Sequence, residues 1–411
     1  MNSKKTNLSE QISSGKVISN WLISALLIII IPTFFFVQAC KKTDEEPVDT
    51  DPIVLDCDYF ETDRVLENDP NRPVDFIVTC VAKVEGDIVV REGVVIEFQD
   101  DAGLYVEAGT LKAEGTSSKK VVFTGVNKIK GSWRGIFYAS KSTNNILDHV
   151  VVSYAGGGSF NVFADLGNVV VFENAKVSIT NTEISNGKEY GLNAVWRNTD
   201  IRAFNNNTIT GNTKYPVISL TEYGHVYDGS NNFVGNDMDY IFLDGSYVIR
   251  GNRTWQKTNV PYLIDGAITI DKNESLTIEA GAELRFEDQS EIFVKKGGYL
   301  AVNGEASDMV LITGIVNQAG AWLGVMNQSD DLRNVIDFAE IAYAGGGPHD
   351  VFGELGTIVL HWDTYQKVTN STMRDAATGA ECAINAPQTN DIVEVENNTI
   401  INIPFEVCDP D

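Results

Sequence analysis

The sequence predicts an all-β solenoid, a parallel β-helix, on three observations. A long block occurs twice at a nearly constant offset: Val89–Gly158 matches Thr277–Gly347, 188 residues apart at its start and 189 at its end. Such internal repeats mark stacked architectures. Within each copy, short alternating apolar runs (VVIEF, LYVEA, LKAEG, VVFTG, GIFYA, HVVVSY, VVVFEN, KVSITN) are separated by Gly, Asn, Asp or Ser. Alternation at period two marks strands, and no stretch after residue 60 shows helical periodicity with caps. Asparagine-marked pieces also recur at even spacing. Thr182, Thr208 and Phe233 lie 26 and 25 residues apart, and Thr372 and Thr399 lie 27 apart. That is the length of one solenoid coil.

The N-terminus reads as a targeting segment. A lysine-bearing stretch precedes the apolar run WLISALLIIIIPTFFFV (Trp21–Val37), which stops at VQAC (Val37–Cys40). A basic flank, a short apolar run and a small residue before the break are signal-peptide features. Pro32 and a length near the lower limit for a bilayer span argue against a permanent helix. Cys40 after Ala39 resembles the lipobox of bacterial lipoproteins, with Gln38 where a small residue is usual. The resemblance implies cleavage after residue 39 and acylation of Cys40. KKTDEEPVDTDP (Lys41–Pro52) is charged and poor in apolar groups, so residues 40–55 are expected to form a flexible tether. Acidic residues just after the Cys resemble surface-export signals of some Gram-negative lipoproteins. The expected location is the outer membrane of a bacterial cell envelope, exposed on the surface and held through the N-terminal lipid.

The remaining cysteines are Cys57, Cys80, Cys382 and Cys408, an even number that suits an oxidising compartment. Three pairings are open. Sequence neighbours suggest Cys57–Cys80 and Cys382–Cys408, 23 and 26 residues apart, each about one coil. Staples there would protect the two ends, where a solenoid exposes unpaired strand edges. No CxxC or Cys/His spacing suggests zinc, and no metal site is expected.

The matched segments set the domain reading. VVREGVVIEFQDDAGLYVEAG (Val89–Gly109) matches TIEAGAELRFEDQSEIFVKKG (Thr277–Gly297), VVFTG matches VLITG, GSWRGIF matches GAWLGVM, and NILDHVVVSYAGGG matches NVIDFAEIAYAGGG. The expected organisation is an N-terminal cap at 56–84, copy one at 85–264, and copy two with a C-terminal cap at 265–411. Each strand pairs with the same strand one coil later at ~4.8 Å, inward Val, Ile, Leu and Phe stack into one core, and Asn at successive corners forms amide ladders.

LTIEAGAELRF, GYLAVNGEASDMVLITG, GAWLGV and VIDFAEIAYAGGG, led in by RTWQKTNVPYLIDGAITI (Arg253–Ile270), resemble right-handed parallel β-helix repeat lipoproteins and secreted proteins of bacteria. The resemblance spans roughly residues 75–405. It implies a right-handed solenoid and is nearly silent on function, because this fold hosts lyases, hydrolases, adhesins and spacers.

Charge and motifs narrow the chemistry. The net charge of −26 (31 Lys+Arg, 57 Asp+Glu) repels nucleic acid, so no nucleic-acid partner is expected. Calcium association is expected to be weak and no cofactor is expected: Asp100–Asp101, Glu287–Asp288, Asp330–Asp331 and Asp237 with Asp239 all fall at predicted turns, with no dedicated calcium loop. Pectin-type hydrolases of this fold carry an NTD motif, which occurs at Asn198–Asp200, but their paired aspartates, Gly-His-Gly and Arg-Ile-Lys are missing. His149, His225, His349 and His361 form no HExxH, and no GxSxG marks a serine nucleophile.

Trp133 and Trp322 hold equivalent positions and are read as coil-edge packing. The duplicated loop is YAGGGSFNVFADLG (Tyr154–Gly167) and YAGGGPHDVFGELG (Tyr343–Gly356). No GxxxxGK[ST] and no following helix accompany its glycines, so phosphate binding fails. The candidate ligand-binding residues are Tyr154, Phe160, Asn161 and Phe163 in copy one, with Tyr343, His349, Asp350 and Phe352 in copy two. Rings stack on sugar faces, and packing of the loop on its own coil is the competing role. The function expected is non-catalytic binding, adhesion or display at the cell surface, with a polysaccharide or surface glycan as partner. The alternative is a β-helix polysaccharide lyase or glycoside hydrolase.

Overall fold

Alternating side chains need two environments, and parallel pairing between coils supplies them. The computed structural model describes residues 49–163, 165–349 and 353–408. Cys40, Asp350 and Phe352 lie outside the described residues. The described residues form an all-β parallel solenoid of about 14 turns with almost no helix. Its 3₁₀ segments, Cys57–Glu61 and Thr221–Val226, are short.

In the first half the strands form three columns. The first column runs Ile53–Leu55, Phe76–Val78, Val95–Phe98, Val121–Gly125, Val150–Ser153, Glu183–Ser185, Thr208–Thr210. The second runs Val81–Val84, Gly103–Val106, Gly135–Tyr138, Val169–Val171, Leu192–Ala194, Val217–Leu220, Ile241–Gly245. The third runs Arg64–Leu66 to Asp200–Asn205. Among the described residues every strand pairing is parallel, as in Ile96↔Phe123 and Phe123↔Val152, and the pairing of Lys176–Thr180 with Asp200–Asn205 shifts register between Val177 and Ser178. Inward Phe76, Ile96, Phe123, Val152, Ile184 and Ile209 are buried and stack along the axis. Each such side chain contributes about 1.5–3 kcal/mol by leaving water.

Asparagines close the corners. Asn207 Oδ1 accepts from Thr182 N (3.0 Å), Asn231 Oδ1 accepts from Asn207 N (3.0 Å), and Asn207 Nδ2 donates to Ile179 O (2.9 Å). The ladder therefore satisfies buried backbone groups that the turns leave open. The cysteines pair as neighbours, Cys57–Cys80 and Cys382–Cys408.

Ile53–Leu55 pairs with Phe76–Val78 and Leu55 is buried, so the solenoid begins inside the stretch expected to be tether. The short apolar run IVL is enough for a strand once a partner edge is present. Residues expected to form a cap, including Arg64–Leu66 and Val81–Val84, already pair onto the next coil. The strand Tyr262–Ile270 crosses the boundary expected at residue 265: its first part pairs with Ile241–Gly245 and its second with Glu291–Val294. It turns the corner at Gly266, whose φ of 96° is left-handed.

That corner shifts the phase of the repeat. Glu283–Phe286 is the sequence equivalent of Val95–Phe98, a first-column strand. Yet it pairs onto Tyr262–Ile264, and so continues the second column. Likewise Glu291–Val294, the equivalent of Gly103–Val106, belongs to the sheet begun by Val248–Ile249. The second copy is thus turned by one face about the solenoid axis relative to the first.

Candidate functional site

The duplicated loop leaves a strand at a tyrosine. Tyr154 (φ 65°) and Tyr343 (φ 62°) both take left-handed backbone, and both are half-buried. The middle glycine is set by close approach: a Cβ on Gly157 would lie 2.0 Å from Gly131 O, and one on Gly346 2.2 Å from Gly320 O. Beneath each loop sits a tryptophan stacked on a core phenylalanine. Trp133 lies 4.1 Å from Phe98 and donates Nε1–H to Ser153 O at 2.8 Å; Trp322 lies 4.4 Å from Phe286 and donates to Ala342 O at 2.9 Å. Both are fully buried, as packing residues should be.

Loop one lies over the outer face of the second column. Phe137 and Val170 point outward from their strands yet are buried. Phe160 packs on Phe137 and Tyr105, with ring centroids 5.4 and 6.2 Å away. Arg134 holds the loop: it forms a bidentate pair with Asp101 (2.8 Å twice) and donates Nη1–H to Ser159 O at 2.6 Å. That guanidinium lowers the Asp101 carboxyl below its usual range. Asn161 shapes the tip. Its Oδ1 accepts from Phe163 N (3.0 Å), and its Nδ2 donates to Asp165 Oδ2 (2.8 Å). The same Asp165 oxygen accepts from Trp196 Nε1 at 2.9 Å. Phe163 is left 61% exposed, packed edge-on to Trp196 at 5.0 Å.

Loop two lies on a different sheet and is held by other means. Phe160 is replaced by His349, whose side chain is 2% exposed and whose Nδ1 lies 2.5 Å from Glu291 Oε2. Arg134 is replaced by Leu323, which packs under Gly347. His361 replaces Phe172 and lies 3.3 Å from Glu354. The two loops are separated by seven strand pairings, roughly 34 Å along the axis at ~4.8 Å per pairing.

The sequence candidates are therefore sorted. Phe160 packs on the strand residues Phe137 and Tyr105, Asn161 hydrogen-bonds within its own loop, and the His349 side chain is buried, so none of these three is an open contact surface. Their common cause is the apolar strip that each loop must cover. Tyr343 lies under the Arg374 guanidinium at 4.8 Å. Phe163 alone of the described candidates is strongly exposed. Trp196, Tyr247 and Arg134 carry the surrounding geometry and have no repeat signal; Trp196 and Tyr247 fall outside the duplicated segments.

The acidic pairs are occupied locally. Asp331 pairs with Arg333 (2.6 Å), and Asp239 accepts from Asn236 N (2.7 Å). In the NTD stretch, Asn198 accepts from Arg250 (3.1 Å) and Thr199 N donates to the buried Tyr223 hydroxyl (3.0 Å). Burial pushes that phenol up to about 12. Glu287 is raised by burial and by the charge of Asp265. Among the described residues no group of three or more His, Cys, Asp or Glu is arranged to hold a metal, and no helix is long and apolar enough to cross a membrane. No protein-family model, curated protein or solved structure matches the chain.

Proposed function

We propose that this protein is a non-catalytic, surface-displayed binding scaffold for glycans, tethered to a bacterial outer membrane by a lipid on Cys40. The observation that carries the glycan reading is the Phe163–Trp196 pair: two rings held by the Asp165 hydrogen bonds, one of them exposed. Flat rings with fixed orientation stack on the C–H faces of sugars, and rigidity lowers the entropy lost on binding. The tether reading rests on VQAC and the acidic stretch behind it. Binding of the chain to an array of bacterial and plant glycans, with turnover of pectin and alginate measured in parallel, tests the function. Degradation abolished by mutating a carboxylate pair would replace this reading with a lyase or hydrolase. Acyl labelling tests the anchor: Cys40→Ser should abolish it, and a persisting label removes the claim.

A further inference from the structure

A cleft opens beside loop one at the joint between the two copies. Its walls are the turn after Leu192–Ala194, carrying Trp196 and Arg197, and the end of the strand Ile241–Gly245 with the turn after it, carrying Asp244 and Tyr247, with Glu173 at one side. These two turns are two coils apart. The coil between them turns inward: after Val217–Leu220 it enters the 3₁₀ segment Thr221–Val226, whose Thr221, Glu222, Tyr223 and Gly224 are buried. The withdrawn turn leaves a cavity of about 330 Å³. That is at the lower end of small-molecule sites, room for one or two sugar units.

We propose that this cleft binds a neutral saccharide, one sugar face against Trp196 and the hydroxyls shared between Glu173, Asp244 and Arg197. The proposal rests on the glycan reading above and gives it a place and a ligand class. Trp196 is half-buried, with its indole nitrogen fixed on Asp165 at 2.9 Å, so its ring is pre-oriented. Arg197 lies over the Tyr247 ring at 4.8 Å and forms no salt bridge among the described residues, in a chain with a large excess of acids. Its N–H groups are available to hydroxyl oxygens. Glu173 and Asp244 supply acceptors for hydroxyl donors. Two carboxylates against one guanidinium disfavour uronates and sulfated sugars. Among the described residues the second copy has no such site. Glu173 is replaced there by Trp362, and the coil-withdrawing 3₁₀ segment occurs only at the joint among the described residues.

The test is calorimetric titration of the full chain with cellohexaose, mannohexaose, laminarihexaose and chitohexaose, and with hexagalacturonate as the charged probe. At least one neutral hexasaccharide should bind. Trp196→Ala should weaken it about tenfold, as expected for loss of one stacking contact. Arg197→Gln, an exposed change that leaves the core intact, should weaken it severalfold and covers the case in which the tryptophan variant misfolds. Neutral binding unchanged in both variants overturns the cleft and leaves the glycan scaffold standing. Binding of hexagalacturonate alone overturns the ligand class. Absence of binding to every probe and to the wider array overturns both.

Discussion

His349 Nδ1 lies 2.5 Å from Glu291 Oε2 where the first copy sets the Phe160 ring over Gly103. The partners in each pair are more than fifty residues apart, and they have changed together. A phenyl ring needs the space that a Cβ at position 103 would fill, 2.7 Å from Phe160. A buried imidazole needs a polar partner instead.

This relationship predicts non-additive exchange. Glu291→Gly should cost about 1–3 kcal/mol by leaving the imidazole without its partner. His349→Phe should also destabilise, by setting a ring against a carboxylate. The double variant should recover part of the loss, with a coupling of about 0.5–3 kcal/mol in a urea-unfolding cycle. Strict additivity would refute the pairing.

The two buried tryptophans should behave alike. Trp133→Ala and Trp322→Ala each remove a stacked indole and its hydrogen bond, so each should cost about 3–5 kcal/mol. Thermal or denaturant unfolding checks this. A loss below 1 kcal/mol would mean that the ring is not packed as described.

His225 gives a pH dependence. Burial, helped by the nearby charge of Arg253, lowers its imidazole to about 4 from the ordinary 6.5. Between those values the unfolded chain binds the proton and the folded chain does not, so stability falls as pH drops from 6.5 towards 4. At neutral pH the imidazole is uncharged in both states and the shift adds nothing; protonation below pH 4 costs the folded state about 3 kcal/mol. His225→Gln should flatten the profile of melting temperature against pH across this window.

The terminal staple should act locally. With Cys382→Ser and Cys408→Ser, hydrogen exchange should accelerate in Ile392–Cys408, the last coil, while the central columns keep their protection. Each coil touches only its neighbours, so the loss does not propagate far. Uniform acceleration would contradict it.

The repeat, the strands and the coil length were legible because alternation and offset are local properties. The phase shift was not. A turn by one whole face keeps the same residues inward, so Leu284 and Phe286 are buried just as Ile96 and Phe98 are, and the pattern is identical in either phase. The burial of His349 was hidden because it depends on Glu291, contributed by an earlier coil. The Trp196–Tyr247 cleft was hidden because it depends on a turn that is absent from the surface. Loop-tip residues looked accessible only until Phe137, Val170 and their equivalents were found to need a cover.

The corner at Gly266 carries a consequence for how such a chain grows. A new segment needs only to offer an open parallel edge with the correct inward–outward parity; it need not match the face on which its ancestor lay. Lengthening by duplication is thereby freed from whole-coil insertions, since a join at any of the three corners preserves the core. The same freedom re-aims the inherited loop. Two copies that began as identical modules come to project from different sides, and they can diverge without competing for one neighbouring surface.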